Sequence, residues 1–562
     1  MVSITMSTSA QAAPTDNVPH QGLTREEFKI ISASCVGTVI EWYDFILFGA
    51  IAPVIGKQFF ASTNPTTGLI FALLAFSAAF IIRPFGAIVF GRIGDLIGRK
   101  YTFLITILIM GLSTFAVGLL PTYASIGIAA PCILIAMRLL QGLAIGGEYG
   151  GAAVFVAEHS PDGKRGLYTS WIQTTGTLGV FLSLFAIFVT RSYFGEQALA
   201  DWAWRLPFLV SILLLAISVW MRLAMQESPV FLQMKAEGRQ SNAPISEAFG
   251  QWKNLKIVIV AFVLSAGFGV IWYTTQLYTL IFMTQTLKID GWTANLIVML
   301  SLLLATPFFV AFGWLSDKIG RKKVILSGIF LAALALFPTF KAMTHFANPA
   351  LERAVASSPV TVIADPADCQ FQFNLTGTSK FTSSCDVAKA KLVSLGVSYR
   401  NEAGASGQPA SIRIGNTVIP SIDIAQLSKE DGVKQMAAFS SAVTKAIADA
   451  GYPSKADPAQ VNVPMLLALN FMLVFLLAVA YGPVPALLVE LFPTRIRYSS
   501  LSLPYHLGTG WFGGMVPTIA VAMVAYTGNI YFGLWFPVAV ALFAVTVNFF
   551  CLRETNGTDI KA

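Results

Sequence analysis

Charge is what this sequence lacks most. Only 12% of its 562 residues are Asp, Glu, Lys or Arg, where a water-soluble domain carries about 25%. A few buried helices cannot produce that deficit; long uncharged stretches can. Cysteine is scarce as well, five in the whole chain, and Cys35, Cys132 and Cys551 stand alone in apolar stretches with no metal-ligand spacing. The Gly-Lys-Ser/Thr ending of a phosphate-binding loop is missing, and so are Gly-x-Ser-x-Gly and His-Glu-x-x-His. The expectation is therefore no nucleotide, no cofactor, no metal and no enzyme. The polar stretch up to about Lys29 has no apolar core, so the first apolar run is expected to direct insertion itself.

What is present in quantity is hydrophobic sequence, 55% of residues with a mean hydropathy of +0.68. Crossing the hydrocarbon core takes about 20 mostly apolar residues. Twelve runs qualify, at 30–56, 68–90, 101–121, 126–157, 166–190, 204–225, 255–284, 292–315, 322–343, 463–489, 500–526 and 531–552. The net charge of +8 does not point to nucleic acid, because the basic residues collect in short loops on one side. Arg92, Lys100, Lys164, Lys253, Lys318, Lys322, Lys323 and Arg495 lie there, with Arg222 and Arg553 counted among them. The other short loops hold only Lys57, Arg191, Arg205, Lys288 and Lys341. By the positive-inside pattern both termini are expected to be cytoplasmic.

The chain repeats itself. Gly91-Arg-Ile-Gly-Asp95-Leu-Ile-Gly98-Arg99-Lys100 returns as Gly313-Trp-Leu-Ser-Asp317-Lys-Ile-Gly320-Arg321-Lys322. Glu158-His-Ser-Pro161 with Arg165 returns as Glu490-Leu-Phe-Pro493 with Arg497. The second pair is about 110 residues further apart than the first, so an insertion interrupts the second repeat, as parallel six-span repeats can tolerate. The expected domains are a tail at 1–29, a first half at 30–225, a linker at 226–254, a second half at 255–344 and 462–553, and an outer insertion at 345–461. The fold class is an all-α membrane protein of twelve transmembrane helices in two six-helix halves, with a small α+β insertion.

Within the insertion, Val360–Ile363 and Ser411–Ile414 alternate like strands, Gly415-Asn416 suits a hairpin turn, and 430–450 shows helical apolar spacing. Cys369 and Cys385 are its cysteines, and pairing them would contribute roughly 3 kcal/mol; two free thiols are the alternative. Asn374-Leu-Thr376 fits a glycosylation acceptor. Few contacts are expected between the insertion and the helices, so that a chain lacking 350–458 should still fold and insert.

Ionisable residues inside spans are expensive and tend to serve the transport path. Here they are Glu41, Asp44, Arg83, Arg138 and Glu148. Glu41 and Asp44, three apart, share one helical face. An arginine fork binds a carboxylate through two parallel hydrogen bonds. A nearby arginine also keeps a buried carboxylate ionised. A solute anion that takes the arginine would leave the carboxylate ready for a proton, which couples the two movements. Arg83 and Arg138 are thus candidate substrate residues, and Asp44, Glu41 and Glu148 candidate proton carriers; helix-holding ion pairs are the structural alternative. Tyr43, Gln173, Trp272, Tyr273 and Gln276, with Trp42 and Tyr278, are candidate lining residues. The small-residue pairs Gly146-Gly147 and Gly150-Gly151 suggest close helix contact.

The duplicated loop resembles the signature of the major facilitator superfamily. Glu41-Trp-Tyr-Asp-Phe45, Arg83-Pro-Phe-Gly86 and the run from Arg138 to Gly151 are similar to its metabolite–proton symporter branch. That resemblance implies alternating-access uptake in a bacterial inner membrane. It places Asp95, Arg99, Asp317 and Arg321 in cytoplasmic gating contacts, and the repeated Glu158, Arg165, Glu490 and Arg497 are grouped with them. It also implies substrates among short monocarboxylates, dicarboxylates, shikimate, proline and betaine. A large insertion between the ninth and tenth spans resembles the bacterial haloacid permeases. The chain ends soon after the last span, unlike osmosensing betaine carriers with a long coiled coil. A proton-coupled importer of a small organic anion, a short monocarboxylate or haloacid favoured, monomeric in the bilayer, is the expectation. A zwitterion carrier, an exporter or a membrane sensor with a ligand-binding outer domain are the alternatives.

Overall fold

The computed structural model describes residues 25–60, 65–223, 227–370, 382–425 and 427–560. The tail up to residue 24 and the acceptor triplet at Asn374 lie outside the described residues. Two long helices open the chain, α1 (Arg25–Ala50) and α2 (Pro65–Leu96). Among the described residues, ten further helices are long and apolar enough to cross a membrane. In the first half these are α3 (Arg99–Leu119), α4 (Ala129–His159), α5 (Arg165–Ala203) and α6 (Arg205–Leu223). The second half has α7 (Trp252–Thr286), α8 (Gly291–Ile319), α9 (Arg321–Ala347), α10 (Val463–Glu490), α11 (Thr494–Thr527) and α12 (Phe532–Cys551).

In lipid each backbone polar group must find its partner inside the segment, so helices carry nearly all the crossing chain. The departures are local. Pro84, Pro307, Pro338 and Pro504 sit inside α2, α8, α9 and α11. Wide π turns interrupt α7 at Thr274–Tyr278 and Phe282–Thr286, and α11 at Leu507–Gly513; such turns concentrate at functional places.

The two halves pack by matching rules. In the first, α2 lies on α4, α3 on α6 and α1 on α5; in the second, α8 lies on α10, α9 on α12 and α7 on α11. The halves meet along α2 against α11 and α5 against α8. Close approach within a half depends on glycine. A Cβ on Gly146 would stand 2.2 Å from the Arg83 carbonyl oxygen, so α4 crosses α2 at a separation that only a missing side chain permits.

Between α9 and α10 the chain builds a four-stranded sheet in the order β2-β1-β3-β4. Its strands are β1 (Val360–Ala364), β2 (Tyr399–Ala403), β3 (Ser411–Ile414) and β4 (Thr417–Pro420). The helix Ser384–Ser394 makes the crossover that sets β2 parallel to β1. Gly415 and Asn416 join β3 to β4 as a two-residue hairpin with Gly415 at φ +55. The helix Lys429–Asp449, capped by the Ser428 side chain, packs against β3 and β4. Cys369 and Cys385 are bonded. β2 and the crossover helix were not legible beforehand, because the exposed side chains of β2 from Arg400 to Ala403 show no alternation.

The expectation of few contacts between insertion and helices is overturned. Tyr399 donates its backbone N–H to the Gly528 carbonyl at 2.9 Å and its hydroxyl to the Ala525 carbonyl. Asn401 donates to the carbonyls of Tyr526 and Thr527 at 3.2 and 3.1 Å, and Lys389 to that of Tyr526 at 3.3 Å. Ala456 and Lys288 join the insertion to the α7–α8 turn. The buried residues of the sheet and of the second half form one continuous apolar cluster. The polar composition that marked the insertion describes its outer face and says nothing of its floor. Removing 350–458 would uncover that cluster, and a truncated chain is now expected to lose stability.

Gly528 is the tightest point of the docking. Its φ is +81, and an added Cβ would stand 2.1 Å from the Tyr399 carbonyl oxygen. Gly528→Ala is expected to lower the thermal unfolding midpoint of the purified protein and to speed proteolysis of the insertion, at a cost of about 1–3 kcal/mol. Gly407→Ala is the control, since its φ is +74 but open space surrounds it. Equal effects of the two substitutions would show that the Tyr399 contact does not hold the insertion down.

Candidate transport path and its gates

One end of the bundle, where the chain's last residues pack, carries two mirrored charge clusters. The first four N–H groups of a helix have no partner within it and attract anions. Asp95, at the end of α2, accepts from the N–H groups of Tyr498 and Ser499 where α11 passes from its 3₁₀ start at Thr494–Ile496 into its first α turn, at 3.2 and 2.9 Å. Asp317, at the end of α8, accepts from Gly166 and Leu167 in the first turn of α5, at 2.9 and 2.8 Å. Each carboxylate therefore ties its own half to the other. Arg99 and Arg321 pair with these aspartates at 3.2 and 2.7 Å. Glu158 meets Arg497 at 2.8 Å and Arg99 at 3.7 Å, while Glu490 meets Arg321 at 3.1 Å and Arg165 at 3.9 Å. All eight residues sit in one layer of linked ion pairs at this end.

Four members of that layer escaped the sequence reading. Helices α3 and α9 begin at Gly98 and Gly320, which have no side chain to cap them. Glu227 accepts from the N–H of Arg99 at 3.1 Å, and Glu554 from that of Arg321 at 2.8 Å. Next to them Ser228 donates to Glu158 at 2.5 Å and Thr555 to Glu490 at 2.7 Å. The findable signal was an acid followed by a hydroxyl shortly after the last span of each half.

Deeper in, the intramembrane charges fall into separate groups. Asp44 accepts from Arg138 at 2.7 Å and from Gln141 at 3.0 Å. Arg138 lies over the Phe48 ring, and its Nε and second terminal nitrogen have no hydrogen-bond partner among the described residues. Glu148 pairs with Arg222 and accepts from Thr106 at 2.9 Å. Arg222 was counted with the loop bases, but it is buried in the bundle. Arg83 joins neither pair. It lies over the Phe80 ring at 4.5 Å, with Tyr273 and Glu41 within electrostatic reach.

Aromatic residues surround this third group. Trp42 and Trp272, from opposite halves, have ring centroids 4.8 Å apart; Phe45 stands 6.0 Å from Trp42, and Tyr273 5.8 Å from Phe80. Gln173 donates to the Tyr149 hydroxyl and to the Tyr481 carbonyl. Gln276 is buried on α7. Two lining candidates point elsewhere. Tyr43 is buried and donates to the Pro207 carbonyl at 2.6 Å, and Tyr278 stacks on Phe340 inside the second half. Both are packing residues, because Tyr43 is one residue from Asp44 and Tyr278 two from Gln276, and a helix turns such positions to other directions.

A family model described as "Sugar (and other) transporter" matches residues 29–257. The proton:xylose symporter XylE, solved as a major facilitator superfamily protein with a bound bromodeoxyglucose, aligns over 95% of this chain and 98% of its own, with TM-score 0.61 and 15% identity. At that identity the likeness speaks for the fold alone. A putative metabolite transport protein of Haemophilus influenzae is 37% identical over 333 residues, 56% of this chain and 75% of that one. The chain belongs to the major facilitator superfamily. A proline/betaine transporter of Salmonella typhimurium is 36% identical over 323 residues, 56% of this chain and 64% of its own length. This major facilitator protein is accordingly a multi-pass membrane transporter and not an enzyme.

The Arg222–Glu148 pair has a test that separates holding from coupling. Losing one member of a buried ion pair leaves the other charge unmatched and costs about 3–5 kcal/mol, whereas replacing both can be nearly neutral. Arg222→Leu is expected to lower the unfolding midpoint markedly, and the double change Arg222→Leu with Glu148→Gln to restore most of it. A restored protein that still transports would show that the pair only holds helices together. One that folds but no longer accumulates solute would place Glu148 on the proton path.

Proposed function

We propose that this protein imports a small zwitterion of the betaine or proline type together with protons. It would sit in the bacterial inner membrane with both termini in the cytoplasm. The observation that carries this reading is the third charge group. Arg83 supplies a fork for a carboxylate, Glu41 adds a carboxyl group beside it, and Trp42, Trp272, Phe45, Phe80 and Tyr273 surround them. Aromatic faces attract an ammonium cation lacking N–H donors, most strongly when it is desolvated. A simple anion needs the arginine but gains nothing from Glu41. The similarity to a proline/betaine transporter supports the same choice. The short-acid or haloacid reading stands second, favoured by the insertion between α9 and α10.

Proton coupling falls to the Asp44–Arg138 pair. A proton on Asp44 neutralises its carboxylate and removes the charge–charge attraction to Arg138, and in a low-dielectric interior that change is large. Protonation loosens α1 from α4 at this point, and deprotonation restores the tie. Glu41 serves the solute cation beside Arg83. The closed layer of Asp95, Arg99, Glu158, Arg165, Asp317, Arg321, Glu490 and Arg497 acts as the cytoplasmic gate. Positive charges on that side of the sequence support the orientation.

Uptake into proteoliposomes with an inside-alkaline gradient tests the reading. The panel is labelled betaine, proline, shikimate, acetate and chloroacetate, each with and without a protonophore, with protein-free liposomes subtracted. Saturable, protonophore-sensitive betaine or proline uptake is expected. Uptake of chloroacetate alone would install the short-acid reading in its place. Asp44→Asn is expected to abolish gradient-driven uptake while leaving counterflow exchange, which also shows that the variant folds. Arg83→Lys, which keeps the charge and loses the fork, is expected to raise KM about tenfold, roughly 1.4 kcal/mol. Driven accumulation by the Asp44 variant would remove that residue from the coupling path.

A further inference from the structure

Below the solute group lies a second feature that joins the halves. The rings of Tyr149 on α4 and Tyr505 on α11 are parallel to within 6° with centroids 3.8 Å apart. The Tyr505 hydroxyl is 2.6 Å from that of Tyr481 on α10. Gln173 on α5 donates to the Tyr149 hydroxyl at 3.3 Å and to the Tyr481 backbone carbonyl at 3.2 Å. Phe268 on α7 closes one side, its ring 5.4 Å from Tyr481 and 6.0 Å from Tyr505. All of these residues are buried.

Their depth is uniform. Tyr149, Gln173, Tyr481 and Tyr505 are each about eight or nine residues from Glu158, Arg165, Glu490 and Arg497 on the same helices, hence about 12–14 Å above the ion-pair layer. Arg83 stands higher, about 18 Å from Asp95 on the same measure. The tyrosines thus occupy one plane between the solute group and the ion pairs. We propose that Tyr149, Tyr481 and Tyr505, latched by Gln173, form an inner gate distinct from the ion-pair layer, and that parting the Tyr149–Tyr505 stack is the step that opens the solute site toward the terminus-bearing side.

The connectivity argues for a gate over ordinary packing. The stack and the Gln173–Tyr481 bond both run from one half to the other. Separation of the halves at this level must break both, whereas packing inside one half would move as a body. The exposed polar groups then wet the opening: three hydroxyls and an amide can all bond water once they leave each other. The inference rests on the chain being a carrier and is independent of which solute it carries.

Gly176 provides a reporter on the solute side of the plane. A Cβ there meets only the Trp42 ring, at an ordinary 3.5 Å. Gly176→Cys is placed in a chain whose Cys35, Cys132 and Cys551 are replaced by Ala. An impermeant maleimide is then applied to the terminus-bearing side of vesicles sorted by access to a C-terminal tag. No solute is needed, so the result stands apart from the uptake panel. Tyr505→Phe keeps the ring and loses the hydroxyl bond; it is expected to label about threefold faster than the parent. Gln173→Ala, which cuts the latch across the halves, is expected to do the same. Tyr505→Ala is expected to label about tenfold faster. Labelling from the insertion side should not rise in any of them. Parental rates in both Tyr505→Phe and Gln173→Ala would overturn the gate, and so would an equal rise from both sides, which marks general loosening.

Discussion

The structure depends above all on two carboxylates that borrow the opening turn of a helix from the opposite half. Asp95 holds the start of α11, and Asp317 the start of α5. A helix N-terminus offers several unpaired N–H groups and a partial positive charge. A buried aspartate satisfies both, so each bond across the halves also repairs a helix end. The arginines one turn on pair with the aspartates, and Glu158 and Glu490 in turn balance the arginines. The result is a layer in which each aspartate joins one half to a helix end of the other.

Above that layer the same low dielectric is used three ways. The Glu148–Arg222 pair is buried deep between α4 and α6 within the first half. The Asp44–Arg138 pair lies between α1 and α4, with guanidinium nitrogens left over. Arg83 and Glu41 are close enough to feel each other and are surrounded by rings from both halves. All these acids lie in the first half. The second half contributes aromatic walls, tyrosine hydroxyls and the π turns of α7 and α11. A division of labour follows, in which one half holds the ionisable chemistry and the other shapes the space around it.

The insertion fits this division. Its contacts are with the α7–α8 turn and with the link from α11 to α12, all of them in the second half. A domain fixed to one half travels with that half. It ties together the outer ends of α7 and α11, both of which carry wide turns in their backbones.

The sequence by itself determined the twelve spans, the repeat and the place of the insertion, because hydropathy and motif spacing are local properties. It also singled out Asp95, Asp317, Glu158 and Glu490, since a charge pattern that occurs twice in one chain stands out without any structure. What only the tertiary structure decided is who pairs with whom. Asp44 could have met Arg83 or Arg138, and helical spacing does not choose between partners on other helices. Tyr43 and Tyr278 looked like lining residues until neighbouring helices showed which way their faces turn. Arg222 read as a loop base because it sits near a span end, and burial depends on the helices around it. The tyrosine plane was invisible for the same reason: Tyr149, Tyr481 and Tyr505 are far apart in the chain, and only the packing of two halves brings their rings and hydroxyls to one level.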